Sequence, residues 1–353
     1  MDLPLQIYTG VWNTSHIQGI AVDSKRGHIY YSFTTLLVKS TLKGEIIGTV
    51  SGIYGHLGCI AYNSEENRIY ASLEFKNDAI GKGVQKNINA EEYSEESFHA
   101  AIFSCDKIDR LNMDAFGDKV MTTVYLKTVA EDYLAEADSI NGKIKHRYGC
   151  SGIDGISFGP DFGANSGKQY LCVAYGIYKD LTRGDNDYQV ILQYDTSDWA
   201  QYESTAGLSK NGVENPRNKF FVYTGNTEWG IQNLEYDSFT NRWFAAVYKG
   251  AKPQFPNYTL FSIDGNVKSE MKPLLGINGE TGLVLALSED GLYDEKTGIH
   301  GYESQYGSTG LASLGGGRFY ISHHGTDKGG SYSNIYLYKW TGNAPCPWEY
   351  VSP

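Results

Sequence analysis

Asp154, Gln18 and Gln232 hold the same place in three similar octapeptides, two residues after the position that opens each one. Carboxyl and amide groups there can bind hydroxyls, share protons or ligate a cation. His16 and His56 open two of these octapeptides, where the others open with glycine. A second shared place closes the apolar run that follows each octapeptide, and it carries Thr34, Glu74, Tyr175, Tyr248 and His324. Glu74, Asp154 and His324 form a candidate catalytic acid/base set, with Gln18, Tyr175, Gln232 and Tyr248 as substrate-binding groups around it. Asp154 with His16 and His56 is the candidate metal set. Its oxygen ligands suit Ca²⁺ or Mg²⁺, and two imidazoles favour a transition metal. The competing reading has Gln18 and Gln232 bonding each other or water, Glu74 as a solvated strand end and His324 as structural. A lone carboxylate at the place of Asp154 is costly without a partner.

The elements that position these residues repeat five times. The octapeptides are His16–Asp23, His56–Asn63, Gly152–Gly159, Gly230–Asp237 and Gly310–Gly317. Each is followed by a short aromatic and β-branched run: Ile29–Phe33, Ile69–Leu73, Tyr170–Ala174, Trp243–Val247 and Phe319–His323. Gly, Asn, Asp and Ser bound these runs, as expected of strands. A third strand follows each time, at Leu37–Ser40, Ile102–Cys105, Ile191–Tyr194, Leu260–Ile263 and Tyr336–Lys339. A fourth is visible at Glu45–Val50, Lys119–Val124 and Lys219–Tyr223, unclear in the fourth repeat and missing in the fifth. Leu5–Tyr8, ahead of the first repeat, is then free to complete the last sheet and close a ring.

Four-stranded units that cannot bury their faces alone, and that close on themselves, describe a β-propeller. The chain resembles the β-propeller superfamily over nearly its whole length. The expected fold is all-β, one domain of five blades at about 15–55, 56–149, 150–228, 229–308 and 309–345, the last completed by residues 4–9. Alignment then makes the shared places two rings about the axis. The inner ring is small at Gly58 and Ala312, in the blades whose outer ring carries Glu74 and His324, so both are expected to look into one pocket. The links between second and third strands are long in every blade but the first, which makes that face the elaborated one. Residues 82–97 are expected to form a lid or a solvated loop. Thr128 and Glu131 read as a capping box that opens a helix at Asp132. Arg183–Asp187 reads as a solvated turn. The long segment from Thr196 to Asn218, on the opposite face, has no assigned role.

A net charge of −11 argues against nucleic-acid or anionic-membrane partners, which need a basic face. Five cysteines without a Cys-x-x-Cys pair give neither a disulfide framework nor a zinc site, and Cys59, Cys105 and Cys172 read as buried thiols. No charged-then-apolar leader opens the chain, so the expected location is the cytoplasm and the expected state a monomer. The expected function is a hydrolase or lyase acting on a carbohydrate or other small polar substrate, with a divalent cation such as Ca²⁺ in the channel. The alternative is a non-catalytic propeller that binds a glycan or protein. Similarity in architecture to five-bladed glycosidases implies carboxylates in the first strands of three blades. Only Asp154 is there, with Gln18 and Gly58 in the equivalent places, so a two-carboxylate hydrolysis would have to join Asp154 with Glu74.

Overall fold

A computed structural model describes residues 3–139, 142–205 and 209–352. Its sheets form a single five-bladed β-propeller. Blade 1 consists of Ile17–Asp23, His28–Phe33, Leu36–Thr41 and Ile46–Ser51. Blade 2 consists of His56–Asn63, Arg68–Phe75, Ser97–Ser104 and Met121–Leu126. Blade 3 consists of Cys150–Gly159, Tyr170–Ile177, Tyr188–Tyr194 and Asn218–Tyr223. Blade 4 has Glu228–Asp237, Arg242–Tyr248 and Leu260–Asp264, and blade 5 has Leu311–Ser313, Arg318–Asp327 and Gly330–Trp340. Each innermost strand packs on the next, and that of blade 5 returns to that of blade 1.

The ring closes on both ends of the described chain. Gln6–Tyr8 pairs antiparallel with residues 334–336 of blade 5, as the spare N-terminal strand implies. Trp348–Tyr350 pairs with residues 338–340 of the same strand. The two short strands thus share one edge, and the fourth strand missing from the fifth repeat is made of two pieces distant in sequence. The unclear fourth strand of blade 4 is also broken: Leu287 bridges Ile263, and Tyr302 bridges Leu260. A hairpin of Leu292–Asp294 and Ile299–Gly301 interrupts it.

A sheet edge left open would expose a row of unpaired backbone groups. Three blades cover theirs with chain from the next blade. Met113–Asp114 lies parallel to the outer strand of blade 1, Gly212–Val213 to that of blade 2 and Thr281–Val284 to that of blade 3. This accounts for the segment from Thr196 to Asn218. It crosses back to blade 2, where buried Trp199 packs on Tyr70 and Tyr194 and Glu203 pairs with Arg68. Residues 206–208 of that segment lie outside the described residues.

Four local expectations are corrected. The segment 82–97 is neither free lid nor open loop in its first part: a helix α1, Ala79–Asn87, is capped by Asp78 and buries Val84 and Gln85. The helix α2, Lys127–Leu134, begins before the expected capping box, with no side-chain cap. It follows directly from the outer strand of blade 2 and buries Thr128, Val129 and Ala130, so packing replaces the cap. Residues 325–333 are no long link, because the two strands of blade 5 continue to a tight turn between Asp327 and Gly330. The turn at Arg183–Asp187 is not solvated, since Asp187 accepts from Lys252 at 2.6 Å and Lys252 is wholly buried.

The terminal closure carries a stability prediction. Trp348 packs on Phe319, Trp340 and Phe244 at ring-centroid distances of 4.8, 5.0 and 5.5 Å. Trp348→Ala is expected to cost about 3–5 kcal/mol in urea unfolding. A cost within experimental error would mean that the C-terminal strand contributes nothing to closure.

Candidate active site

The innermost strands do not run with regular pleat. Pairing with the second strand shifts register between Ile17 and Gly19, Leu57 and Ile60, Ile153 and Ile156, and Ile231 and Asn233. One irregularity therefore recurs at the same height in four blades. A bulge bends a strand and re-aims its side chains. Here it allows two successive octapeptide positions to serve the axis. The first carries Asp154 and Gln232. The second carries Asn233, wholly buried, whose amide donates to Gln18 O and Ser308 O, both at 2.9 Å. Cys59 donates to the amide oxygen of Asn233 at 3.3 Å. These contacts plug the axis and separate a mouth on the side of the two-three links from a pocket on the other side.

The mouth is built around a buried ion pair. Lys76 Nζ lies 2.6 Å from Glu74 Oε1, and both side chains are almost without exposed surface. Lys76 also donates to Ser151 O at 2.6 Å. The other carboxylate oxygen, Glu74 Oε2, accepts the Ile153 N–H at 3.0 Å. Gly152 makes room for it: a Cβ there would stand 1.9 Å from Glu74 Oε2, and its φ of +125° suits glycine. His56 Nδ1 lies 3.3 Å from Glu74 Oε1 and 3.9 Å from Asp154 Oδ1, an ion-pair contact not aligned as a hydrogen bond. Gln232 donates to Asp154 Oδ2 at 3.1 Å.

Burial and charge push these two carboxyl groups apart. For Glu74, burial acts upward, but the charges of Lys76 and His56 outweigh it and hold its pKa below the ordinary value. For Asp154, burial and then the Glu74 charge raise the pKa to about 7, against His56, Lys76 and Gln232. Burial acts downward on His56, but Glu74 and then Asp154 raise its proton affinity overall. For Lys76, burial is likewise outweighed by Glu74 and Asp78, and its pKa rises. Two neighbouring carboxyls with separated proton affinities can divide the work of acid and anion.

On the blade 1 side, Gln18 Nε2 contacts His16 Nε2 at 3.3 Å and donates to Thr34 Oγ1 at 3.1 Å. The His16 ring meets the exposed His324 ring edge-on at 5.7 Å. Burial, then the positive charges of His56 and His324, lower His16 to about 4. Burial also lowers His324. The contacts thus run from Gln232 through Asp154 to His56, and from His16 to His324. Tyr248 lies close enough for the Asp154 charge to add to burial in raising its pKa.

Two assignments change with this geometry. Tyr175 has no exposed surface, and its hydroxyl donates to Asp132 Oδ2 at 2.7 Å, so it presents nothing to a ligand in the mouth. Strand Tyr170–Ile177 is covered there by α2, which the alignment of strands does not display. Glu74 is within reach of the same imidazole as Asp154, but its oxygens are taken by Lys76 and Ile153. As for a cation on Asp154, His16 and His56, no group of three His, Cys, Asp or Glu among the described residues could hold a metal ion.

Lys76 and Asn233 are missing from the sequence-based site. Lys76 lies two residues beyond Glu74 in extended chain, hence on the same side, which was the available signal. Asn233 is the one amide at the fourth octapeptide position, where the other blades carry Gly19, Cys59, Gly155 and Ser313.

No family model matches the chain, and no curated protein matches it. Among solved structures, it is similar to an α-L-arabinanase of Cellvibrio cellulosa complexed with arabinohexaose, at TM-score 0.43 and 8% identity over 96% of this chain and 99% of that one. The apo-form soluble aldose sugar dehydrogenase of Escherichia coli gives 0.38 and 10%, over 93% and 98%. A calcium structure of a Trichoderma reesei protein of Carbohydrate-Active Enzymes Family AA12 gives 0.38 and 11%, over 90% and 80%. Likeness at this level carries no functional argument.

Two stability measurements test the electrostatics. Lys76→Met leaves Glu74 buried without its cation and is expected to cost about 3–5 kcal/mol in urea unfolding. Adding Glu74→Gln should recover part of that cost, and full additivity of the two changes would dissolve the pair. Asp154 titrates near 4 when unfolded and about 7 when folded. In that window the folded state keeps a proton that the unfolded chain has lost, so stability is lost as pH rises. The thermal midpoint of Asp154→Asn relative to wild type should therefore climb from pH 4 to pH 8, and a constant difference would contradict the assignment.

Proposed function

We propose that the axial mouth is an acid–base site that cleaves a carbohydrate or a similar hydroxyl-rich substrate, as a hydrolase or lyase. The observation that carries this reading is Asp154: a carboxyl held protonated up to about pH 7, with part of its surface open, beside His56 and Gln232. A carboxylic acid that keeps its proton near neutrality is suited to protonate a leaving oxygen. His324, exposed and neutral at that pH through its lowered pKa, takes a proton from water in hydrolysis or from carbon in elimination. Gln18, Gln232 and Tyr248 supply hydrogen bonds to hydroxyls. Glu74 and Lys76 act as positioning residues, because the carboxylate fixes His56 and carries no free edge toward substrate. This replaces the two-carboxylate pairing of Asp154 with Glu74 by a carboxyl–imidazole pairing.

The reading is tested by turnover of a panel of oligosaccharides and glycosides by wild type, Asp154→Asn and His324→Ala. Each variant should lose about 10²–10⁴-fold in kcat/KM with an unchanged fold by circular dichroism. The wild-type rate should fall above about pH 7 as Asp154 loses its proton, and that limb should be absent in Asp154→Asn. Undiminished turnover in Asp154→Asn would end the proposal. Sugar binding without turnover, weakened in the same variants, would instead identify a non-catalytic glycan-binding propeller.

A further inference from the structure

Below the plug of Asn233 and Cys59 lies the second axial pocket, open toward the tight one-two turns. Its volume is about 140 Å³, and all five blades wall it, with Ala21, Ala61, Ser157, Glu235 and Ser313 among the lining residues. Glu235 is the one charged side chain in that lining, and no Lys, Arg or His accompanies it. At its octapeptide position the other blades carry Ala21, Ala61, Ser157 and Gly315. The carboxyl is therefore a departure from a layer of small residues, in a lining that holds no cationic side chain.

The surroundings of Glu235 are rich in oxygen. Glu235 Oε1 accepts the Ser313 N–H at 2.7 Å, and the Ser157 hydroxyl also reaches the carboxyl. Ser313 Oγ donates to Asp237 Oδ1 at 2.6 Å, and Asp237 is wholly buried and already holds Thr240. The other titratable groups that face this space are Cys59 above it and Tyr62 and Tyr236 in its wall. The Tyr62 hydroxyl is turned to Asn67 and Arg26, the Tyr236 hydroxyl to Asn241, and burial keeps the Cys59 thiol protonated. Arg26, which meets the Tyr62 hydroxyl, also pairs with Asp23.

We infer that this pocket is a binding site for a small hard cation, held by the Glu235 carboxylate with the Ser157 and Ser313 oxygens, at the pole opposite the mouth. Oxygen donors without nitrogen or sulfur suit such ions, and the pocket has room for an ion with some of its water. Binding is an exchange. The cation enters, the O–H bond of the Glu235 carboxyl breaks, and its proton leaves to solvent. A proton and the ion compete for the same carboxylate oxygens, so binding strengthens as pH rises. A bound cation removes the cost of an ionised carboxylate in this enclosed place.

The experiment is thermal unfolding of the full chain at pH 6.5 and pH 9, at matched ionic strength, in choline chloride or in the chlorides of sodium, potassium, magnesium and calcium. Choline carries its charge behind methyl groups that oxygen ligands cannot coordinate, and serves as the reference. At least one of the small cations should raise the midpoint by several degrees at pH 9, by less at pH 6.5, and not at all in Glu235→Gln. Midpoints that agree across all salts, or an equal rise in Glu235→Gln, would overturn the inference. Should Glu235→Gln fail to fold, Ser157→Ala should need about tenfold more cation for half the effect, and an unshifted titration would overturn it equally. None of these readings depends on turnover at the mouth.

Discussion

Five sheets can share one axis only if their innermost strands nearly touch, and the rest of this protein follows from that crowding. A Cβ on Gly19 would stand 2.9 Å from the backbone of Cys59, and one on Gly155 2.8 Å from Ile231. There is no space at the axis for a regular layer of large side chains. The strands answer with a bulge at one height in four blades, which turns selected residues inward and leaves backbone groups in need of partners. Asn233 satisfies the Gln18 carbonyl of blade 1 and the Ser308 carbonyl of the link to blade 5, and accepts from Cys59 of blade 2. One amide thus ties together blades that lie apart in sequence.

The same crowding sets the electrostatics. Groups near the axis lose water, and desolvation is the largest influence on Glu74, Lys76, His56, Asp154 and Glu235 alike. What separates them is the partner each finds. Glu74 has Lys76 and remains ionised. Asp154 has the Glu74 charge close by and a weaker claim on His56, and it keeps its proton. Glu235 has no cation in its pocket lining and keeps its proton as well. In a chain of net charge −11, such local pairing, not the overall charge, decides which carboxyl holds its proton more tightly.

Strand repeats were the readable part of the fold. Aromatic and β-branched runs bounded by turns identified the strands of blades 1 to 3, and the unmatched Leu5–Tyr8 pointed to closure on blade 5. Pairings between distant segments were unreadable. Trp348–Tyr350 joins the same edge, and Gly212–Val213 covers blade 2, because each completes backbone hydrogen bonds whose other half is set elsewhere in the chain. Alignment placed Asp154, Gln232, His16, His56 and His324 toward one end of the axis, since equivalent positions in a closed ring share a height. It misjudged Tyr175, because α2 arrives from a link that carries no repeat.

The sequence by itself determined which residue types reach each height of the ring, since strand period and repeat phase are local properties. It therefore located Glu74 and Asp154 as the carboxyls of the mouth. Only the tertiary structure decided what each can do. Their roles depend on Lys76 swinging back to Glu74, on Gly152 admitting a carboxylate oxygen to the Ile153 N–H, and on Asn233 closing the channel beneath them. Lys76 meets Glu74 within one blade, and the other two contacts join separate blades, all at distances near 3 Å. Burial and charge act through such distances, which no spacing along the chain specifies.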